Sequence, residues 1–374
     1  MRRAFATAGE IGPTLDALSL ALGSGGAGPF ALVALFVPTG MAIARLAGEA
    51  ERRLQAPVIG CTTAGEIAEG YAEDTIVALA LPRSHFTAHL CPIQNIATLD
   101  RAATAHAVLT ARHEVAAAEP EWPGQFAMLL VDGLSRAEDR LVSAIAPALG
   151  TTPLFGGSAG DGLDFTRTQV FANGHVHQDG AVLALIRTRC EVEVFRFDHF
   201  RPTEKRMVVT AADPANRLVK EINAEPAAAE YARIVGKDPG QLTPFTFAAN
   251  PVVVRLGGQH HVRAIQQVEP NGDLRFFSAI DEGLVLSVAD KRDIVEHLEE
   301  SLAGLHARRA PAAILACDCI LRRLEAEQSQ RFRAVSNVLT RYGVVGFSTY
   351  GEQHNGLHVN QTFTGVALYP PEDP

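Results

Sequence analysis

Pro57-Val-Ile-Gly-Cys-Thr-Thr-Ala-Gly-Glu66 runs a short apolar strand into a turn of glycine, hydroxyl and acid. Two later stretches follow the same plan: Pro153-Leu-Phe-Gly-Gly-Ser-Ala-Gly-Asp161 and Val344-Val-Gly-Phe-Ser-Thr-Tyr-Gly-Glu352. A turn that recurs at long spacing marks an internal repeat, and a repeat decides the fold before any single element does. Outward from each turn the pattern holds: an apolar strand and an amphipathic helix before it, another apolar strand after it. The first unit places strands at 30–37 and 75–82 around a helix at 42–54. The second places strands at 126–131 and 181–186 around a helix at 137–149. The third places strands at 312–317 and 364–369 around one long helix at 321–342. Alternating strands and helices predict an α/β fold of repeated strand-helix-strand units. Strands such as 76–81 are apolar throughout, as in layered sheets covered on both faces by helices.

Between the second and third units lies a region of different pattern, 190–301. It has strands at 191–197, 207–211, 252–256, 261–267 and 274–278 and a helix at 227–235 that ends at Gly236. A helix at 13–22 and the glycine-rich 23–28 precede the first unit. The organisation expected is an N-terminal helix and linker over 1–28 and two associated domains, 29–189 and 190–374.

The 374 residues carry 33 basic and 42 acidic side chains, a formal charge of −9, with 47 % apolar and 20 % charged residues. That is the composition of a folded chain with a sizeable core. Basic residues cluster no further than pairs such as Arg322-Arg323, so no electrostatic footprint for nucleic acid or an anionic membrane is present. The longest apolar run, 30–37, is far below the roughly 18 residues of a membrane span. Glu10, Gly12, Pro13 and Asp16 interrupt any signal-peptide core. A cytoplasmic protein is expected, with its five cysteines reduced.

Several motifs have an ordinary structural explanation. Gly23-Ser-Gly-Gly-Ala-Gly28 matches a dinucleotide fingerprint but follows a helix and precedes a strand, the reverse of the order that aims a helix at pyrophosphate. Gly156-Gly-Ser158-Ala-Gly160 matches the nucleophile elbow, yet no helix start follows it and its counterparts carry their hydroxyls elsewhere, so the glycines read as fold elements. A serine or cysteine hydrolase using Ser158 or Cys61 is accordingly the least favoured reading. Cys317-Asp-Cys319 lacks a second pair at metal spacing. His175 and His177 read as edge-strand residues. The turns themselves offer Cys61, Thr62, Glu66, Ser158, Asp161, Ser348, Thr349 and Glu352 to a small ligand.

Two histidine neighbourhoods carry more specific chemistry. Phe195-Arg-Phe-Asp-His-Phe-Arg-Pro-Thr203 sets His199 among three phenylalanines and two arginines. An iron porphyrin needs an imidazole, apolar walls and cations for its propionates, which His199, Phe195, Phe197, Arg201 and Arg206 would supply. His358 and His354, in the polar loop after the third turn, are the alternative ligands.

The turn 60–66 resembles the signature of FIST N-terminal domains, and 346–352 that of FIST C-terminal domains. The resemblance covers about residues 28–370, and it implies a sensory module for small ligands in bacterial signalling. The stretches 201–210, 221–231 and 358–365 resemble stand-alone nitric-oxide-sensing haemoproteins of the NosP type. That likeness implies haem b without covalent attachment, nitric oxide as the ligand, and output through a histidine kinase in trans, with homo-oligomerisation left open. Because the repeats account for nearly all of the chain, output in trans is expected on that ground too. The alternative is a sensor for a non-haem small molecule such as an amino acid, held by the turns.

Overall fold

The first unit runs β1 (Arg2–Thr7), α1 (Ile11–Leu22), β2 (Phe30–Val37), α2 (Ile43–Leu54), β3 (Val58–Thr62), β4 (Glu66–Ile67), β5 (Tyr71–Ala72) and β6 (Thr75–Pro82). The second repeats that order as β7 (Phe86–Gln94), α3 (Arg101–Ala118), β8 (Gly124–Val131), α4 (Glu138–Leu149), β9 (Leu154–Ser158), β10 (Val170–Ala172), β11 (His175–His177) and β12 (Gly180–Thr188). The third opens with β13 (Glu191–Phe197) and is then interrupted. The interruption comprises β14 (Phe200–Asp213), β15 (Leu218–Ile222), β16 (Glu225–Pro226), α5 (Ala227–Val235), α6 (Pro244–Ala249), β17 (Val252–Leu256), β18 (Gln259–Arg263), β19 (Ile265–Val268), β20 (Leu274–Phe276) and β21 (Val285–Lys291). The third unit resumes with α7 (Ile294–His306), β22 (Ala313–Cys319), α8 (Ile320–Gln328), α9 (Phe332–Arg341), β23 (Val344–Thr349), β24 (Glu352–His354), β25 (Leu357–Val359) and β26 (Phe363–Tyr369). The computed structural model describes residues 1–23, 30–256 and 258–371. Most of the glycine-rich stretch 23–28 therefore lies outside the described residues.

Each unit builds a six-stranded sheet, and the three sheets have one plan: β1-β6-β2-β3, β7-β12-β8-β9 and β13-β26-β22-β23, each completed by a hairpin from another unit. Hairpin β10-β11 of the second unit extends the first sheet, β24-β25 of the third extends the second, and β4-β5 of the first extends the third. The exchange is cyclic, so the units are related by a pseudo-threefold arrangement. Only β2/β3, β8/β9 and β22/β23 pair in parallel within these sheets, and parallel neighbours require a crossover, here α2, α4 and the pair α8-α9.

Alternation along the strands explains the layering. In β2, Leu32, Ala34 and Phe36 face a central core shared with Phe126, Met128, Leu130, Leu315 and Cys317 of the other sheets. Val33, Leu35 and Val37 face outward and are covered by Leu15, Leu18, Leu46 and Leu54 of α1 and α2. Helices α3 and α4 cover the second sheet, and α7 and α9 the third. The inserted segment folds as an eight-stranded sheet with a core of its own around Tyr231, Phe247 and Phe276.

Three expectations are corrected. Residues before 29 are not an appendage, because β1 pairs along its whole length with β6. The region of different pattern is narrower than 190–301: β13 is the edge of the third sheet, paired with β26, and α7 covers that sheet. The long helix is two helices. Ser329 Oγ donates to the carbonyl of Glu325 at 2.7 Å, and Gln330 turns left-handed at φ 58°, which diverts the backbone from its helical path.

The recurrent glycine is demanded by strand spacing. Gly60, Gly156 and Gly346 face Leu35, Leu129 and Ala316 across the parallel pairs. A Cβ on them would sit 2.4, 2.1 and 1.8 Å from those residues' carbonyl oxygens. Gly346→Ala is therefore expected to lower unfolding free energy by at least about 3 kcal/mol. Gly304→Ala, in α7 with nothing within 4 Å of the added carbon, should raise it by up to about 1 kcal/mol. Urea midpoints at unchanged slope measure both; equal effects would show that the close approach has no consequence.

Candidate functional site

The three turns meet backbone to backbone. Ala64 N–H donates to the Ser348 carbonyl at 3.0 Å, and Ser348 N–H to that of Gly65 at 2.7 Å. Ser158 N–H donates to the Gly351 carbonyl at 2.8 Å, Tyr350 N–H to Ser158 at 3.2 Å, and Gly160 N–H to Thr62 at 3.1 Å. Glycine makes the approach possible: a Cβ on Gly160 would lie 2.9 Å from Ala64 N, one on Gly351 2.4 Å from His358 Cε1, and one on Gly65 1.8 Å from Arg323 Nη1. Gly65 also holds φ 126°, a region open to glycine alone.

The acid closing each turn is buried. Glu66 and Glu352 each accept a hydrogen bond from the threonine three residues earlier, Thr63 and Thr349. Burial, opposed in part by those bonds, raises their pKa to about 7 and about 8. Glu352 Oε2 also accepts from the Thr362 hydroxyl at 2.7 Å, whereas Glu66 Oε2 is buried with no partner. The second turn is one residue shorter and lacks that threonine, so Asp161 accepts from the Tyr350 hydroxyl of the third turn instead. Burial alone would raise Asp161, but Tyr350 and the backbone N–H groups of Arg167 and Thr166 bring it below the usual carboxylate value.

A cavity of about 330 Å³ opens beside the first turn, at the carboxyl ends of β2 and β3, where Thr63, Gly65, Glu66, Glu73, Asp74 and Arg323 contribute to its wall. Leu163 of the second unit and Leu324 of α8 complete it, so all three units meet there. Crevices beyond the carboxyl ends of parallel strands are where ligands settle in α/β sheets. Arg323 is nearly buried, pairs with Glu73 at 2.6 Å and lies over the rings of Tyr71 and Phe332.

The remaining candidates are not at this cavity. Cys61 is fully buried in the central core, and burial pushes its thiol well up. Thr62 Oγ1 accepts from Gln169 N–H at 3.1 Å and Ser348 is buried. Ser158 Oγ lies 3.3 Å from Glu138 Oε1 and accepts from Gln353 Nε2 at 3.1 Å; these are carboxylate and amide partners, not an imidazole. Cys317 and Cys319 are buried, and so is His177, contrary to its reading as an exposed edge residue.

His199 is 1 % exposed rather than at a pocket rim. Its Nε2 lies 3.0 Å from both carboxylate oxygens of Glu325, and Arg322 Nη1 donates to its Nδ1 at 2.9 Å. Burial lowers its pKa, so the ring is neutral: Nε2–H donates to Glu325 and the Nδ1 lone pair is taken by a guanidinium, which can only donate. Phe195 and Phe197 stack on each other and on Phe363 in the core beneath α7, and Arg201 and Arg206 are exposed on β14. His354 is half-buried beside Asn355. His358 is buried, with Nδ1 3.4 Å from Gln353 Nε2 and Nε2 without a partner, against Gly351.

A FIST N domain model matches residues 31–225 and a FIST C domain model residues 227–355. The chain belongs to the FIST family. It is thereby a sensory signal-transduction protein. The junction of the two FIST matches falls inside the inserted sheet, before α5, not between the structural units. No curated protein matches the chain. Among the described residues no helix is long and apolar enough to cross a membrane. The FIST turns meet backbone to backbone, but haem does not fit the cluster around His199: no lone pair faces a cavity there, and the phenylalanines proposed as walls pack against one another. Sequence reading missed Arg322 and Arg323, which looked like an ordinary basic pair. Asp318 and Glu325, at four residues before and three after Arg322, were the signal that one face of that helix start carries a buried ion network.

A carboxyl whose pKa rises on folding keeps its proton in the folded chain after the unfolded chain has ionised. It favours folding most below the unfolded value near ~4.3, and that contribution is lost as pH climbs toward the folded value. Relative to wild type, Glu352→Gln should gain stability by about 1.4 kcal/mol per pH unit between about pH 5 and pH 8, then level off. Urea midpoints across that range test it, and parallel profiles would show that Glu352 is ionised in the fold.

Proposed function

We propose that this FIST protein senses a small zwitterionic or amine ligand, of which an amino acid is the simplest, at the cavity beside the first turn. The observation that carries the reading is the wall itself: one buried guanidinium, Arg323, among the carboxyl groups of Glu66, Glu73, Asp74 and Glu327. Arg323 holds Glu73 and Glu327; a ligand carboxylate would take its fork in exchange for the exposed Glu73, and the acids so released offer partners to an ammonium. The volume, about 330 Å³, is at the small end of ligand pockets. Because the wall draws on all three units, an occupant contacts elements that no single unit could hold in place. A ligand that binds one arrangement of them better than another shifts their population.

The route outward runs along α8. Arg322, the neighbour of Arg323, holds Asp318 at 2.7 Å and His199 at 2.9 Å, and His199 stands where β13 passes into the inserted sheet. The inserted sheet is accordingly the proposed output surface, read in trans by a partner such as a histidine kinase. Haem b and nitric oxide enter only if the His199 to Glu325 pair opens, and no step here depends on them.

Thermal unfolding with single L-amino acids tests the proposal. At about 100 times its dissociation constant, a ligand adds about 2.7 kcal/mol. One or a few amino acids should shift the midpoint, and Glu73→Gln, at an exposed wall position, should weaken that ligand by up to about fivefold, the scale of a surface charge contact. Absence of any shift with amino acids or simple amines would overturn the reading. A Soret band on stoichiometric haem that His199→Ala abolishes would replace it with the haem sensor.

A further inference from the structure

A second cavity, of about 280 Å³, lies between the second unit and the inserted sheet, and its chemistry is opposite to that of the first. Its wall contains Arg136, Arg217 and Arg275 with Gln266, Gln267 and Phe165, and no carboxylate. In a chain of net charge −9 the general field repels anions, so three guanidinium groups on one concave wall make a local exception. Arg217 is 4 % exposed. It donates to Glu138 and to the carbonyl of Phe277, and its Nε remains without a partner. Arg275 pairs with Glu269 at 2.5 Å. These two acids, and Asp139 at 3.6 Å from Arg217, stand outside the cavity wall and leave its inner side cationic. Arg136 has no ion pair or hydrogen bond among the described residues and shares the wall with Arg275 and Arg217; burial, then their charges, lowers its pKa against the opposing pull of Glu269 and Glu138.

We propose that this cavity binds a small oxyanion carrying two negative charges, a dicarboxylate or a phosphate group. Guanidinium forks suit both, and Gln266 and Gln267 add amide donors. The position corresponds to that of the first cavity. Gly133 and Leu134 follow β8 as Pro38 and Thr39 follow β2, so both cavities occupy the carboxyl end of a parallel strand in their unit. Occupancy here reaches the turns through side chains. Arg217 holds Glu138, Glu138 meets Ser158 Oγ at 3.3 Å, Ser158 accepts from Gln353 at 3.1 Å, and Gln353 touches His358. Arg136 belongs to the repeat scaffold while Arg217, Gln266, Gln267 and Arg275 belong to the insertion, so an anion held between them fixes the seating of one on the other. The site is independent of the amino-acid reading of the first cavity.

Isothermal titration of the full chain at low salt, with succinate and with inorganic phosphate as separate probes, tests the proposal. At least one should bind saturably at one site per chain. Arg136→Ala, which removes no ion pair, should weaken binding at least about tenfold, with Arg136→Lys recovering part of the loss and Gly304→Ala in α7 leaving it unchanged. Succinate alone marks a dicarboxylate, phosphate alone a phosphate group, and both mark recognition of charge. The proposal is overturned if neither probe saturates below about 10 mM, about −2.7 kcal/mol, or if Arg136→Ala binds as wild type does.

Discussion

Three carbonyl oxygens, those of Leu35, Leu129 and Ala316, lie so close to the glycines opposite them that no side chain fits. The remaining structure depends on that constraint. The bare backbone at each glycine lets an incoming strand pair there: Phe171 with Gly60, Gln353 with Gly156, and Ile67 with Gly346. The last residues of each parallel strand then enter a turn that touches the next turn through main-chain hydrogen bonds. No unit completes its own sheet. Each edge is covered by a hairpin from another unit, which removes the exposed strand edge that an isolated unit would present.

This closure also explains why so much polar chemistry is buried. Turn backbones bonded to each other leave the side chains of Thr63, Glu66, Thr349 and Glu352 no direction but inward, so hydroxyls and carboxyls must satisfy one another. Burying a carboxyl is tolerable when it stays protonated and bonded; Glu352 meets that condition, whereas Glu66, raised less, keeps one oxygen without a partner. Where the second turn is one residue short, Tyr350 reaches across to Asp161 and packs tilted against Phe165, ring centroids 4.6 Å apart. Its ring also stands 6.3 Å from Phe277. A side chain from the third turn thus ties the second unit to the inserted sheet, which is the contact a sensor can use if a ligand alters any one turn.

Much of this was legible in the sequence, and the failures have identifiable causes. The parallel strands and the recurring turn could be read because apolar runs and obligate glycines are local signals. Of the opening strands, β13 could be read at 191–197 but β1 and β7 could not: Arg-Arg-Ala-Phe-Ala-Thr in β1 is short and polar at its start, and its place is set by β6, far away in sequence. The helix α3 carries apolar residues on a narrow stripe, Val108, Ala111 and Val115, so its period is weak. The break between α8 and α9 contains neither glycine nor proline. At the candidate site the turns could be read as recurring fold elements with polar side chains for a ligand; that they meet backbone to backbone could not, because contacts between units set it. His199 looked like a ligand because its sequence neighbours are aromatic and basic, yet its decisive partners, Arg322 and Glu325, lie more than a hundred residues away. The arginine-lined cavity was invisible for the same reason, its cations coming from segments far apart in sequence.

The central claim is that the three turns form one cooperative junction. Native-state hydrogen exchange at the amides of Ala64, Ser158, Gly160, Ser348 and Tyr350 tests it directly, since each donates across a boundary between units. The account predicts one shared opening free energy for all five, equal to that of global unfolding. Distinct, lower values grouped by unit would contradict it, because the turns would then open independently and the cyclic exchange would not be what holds the chain together.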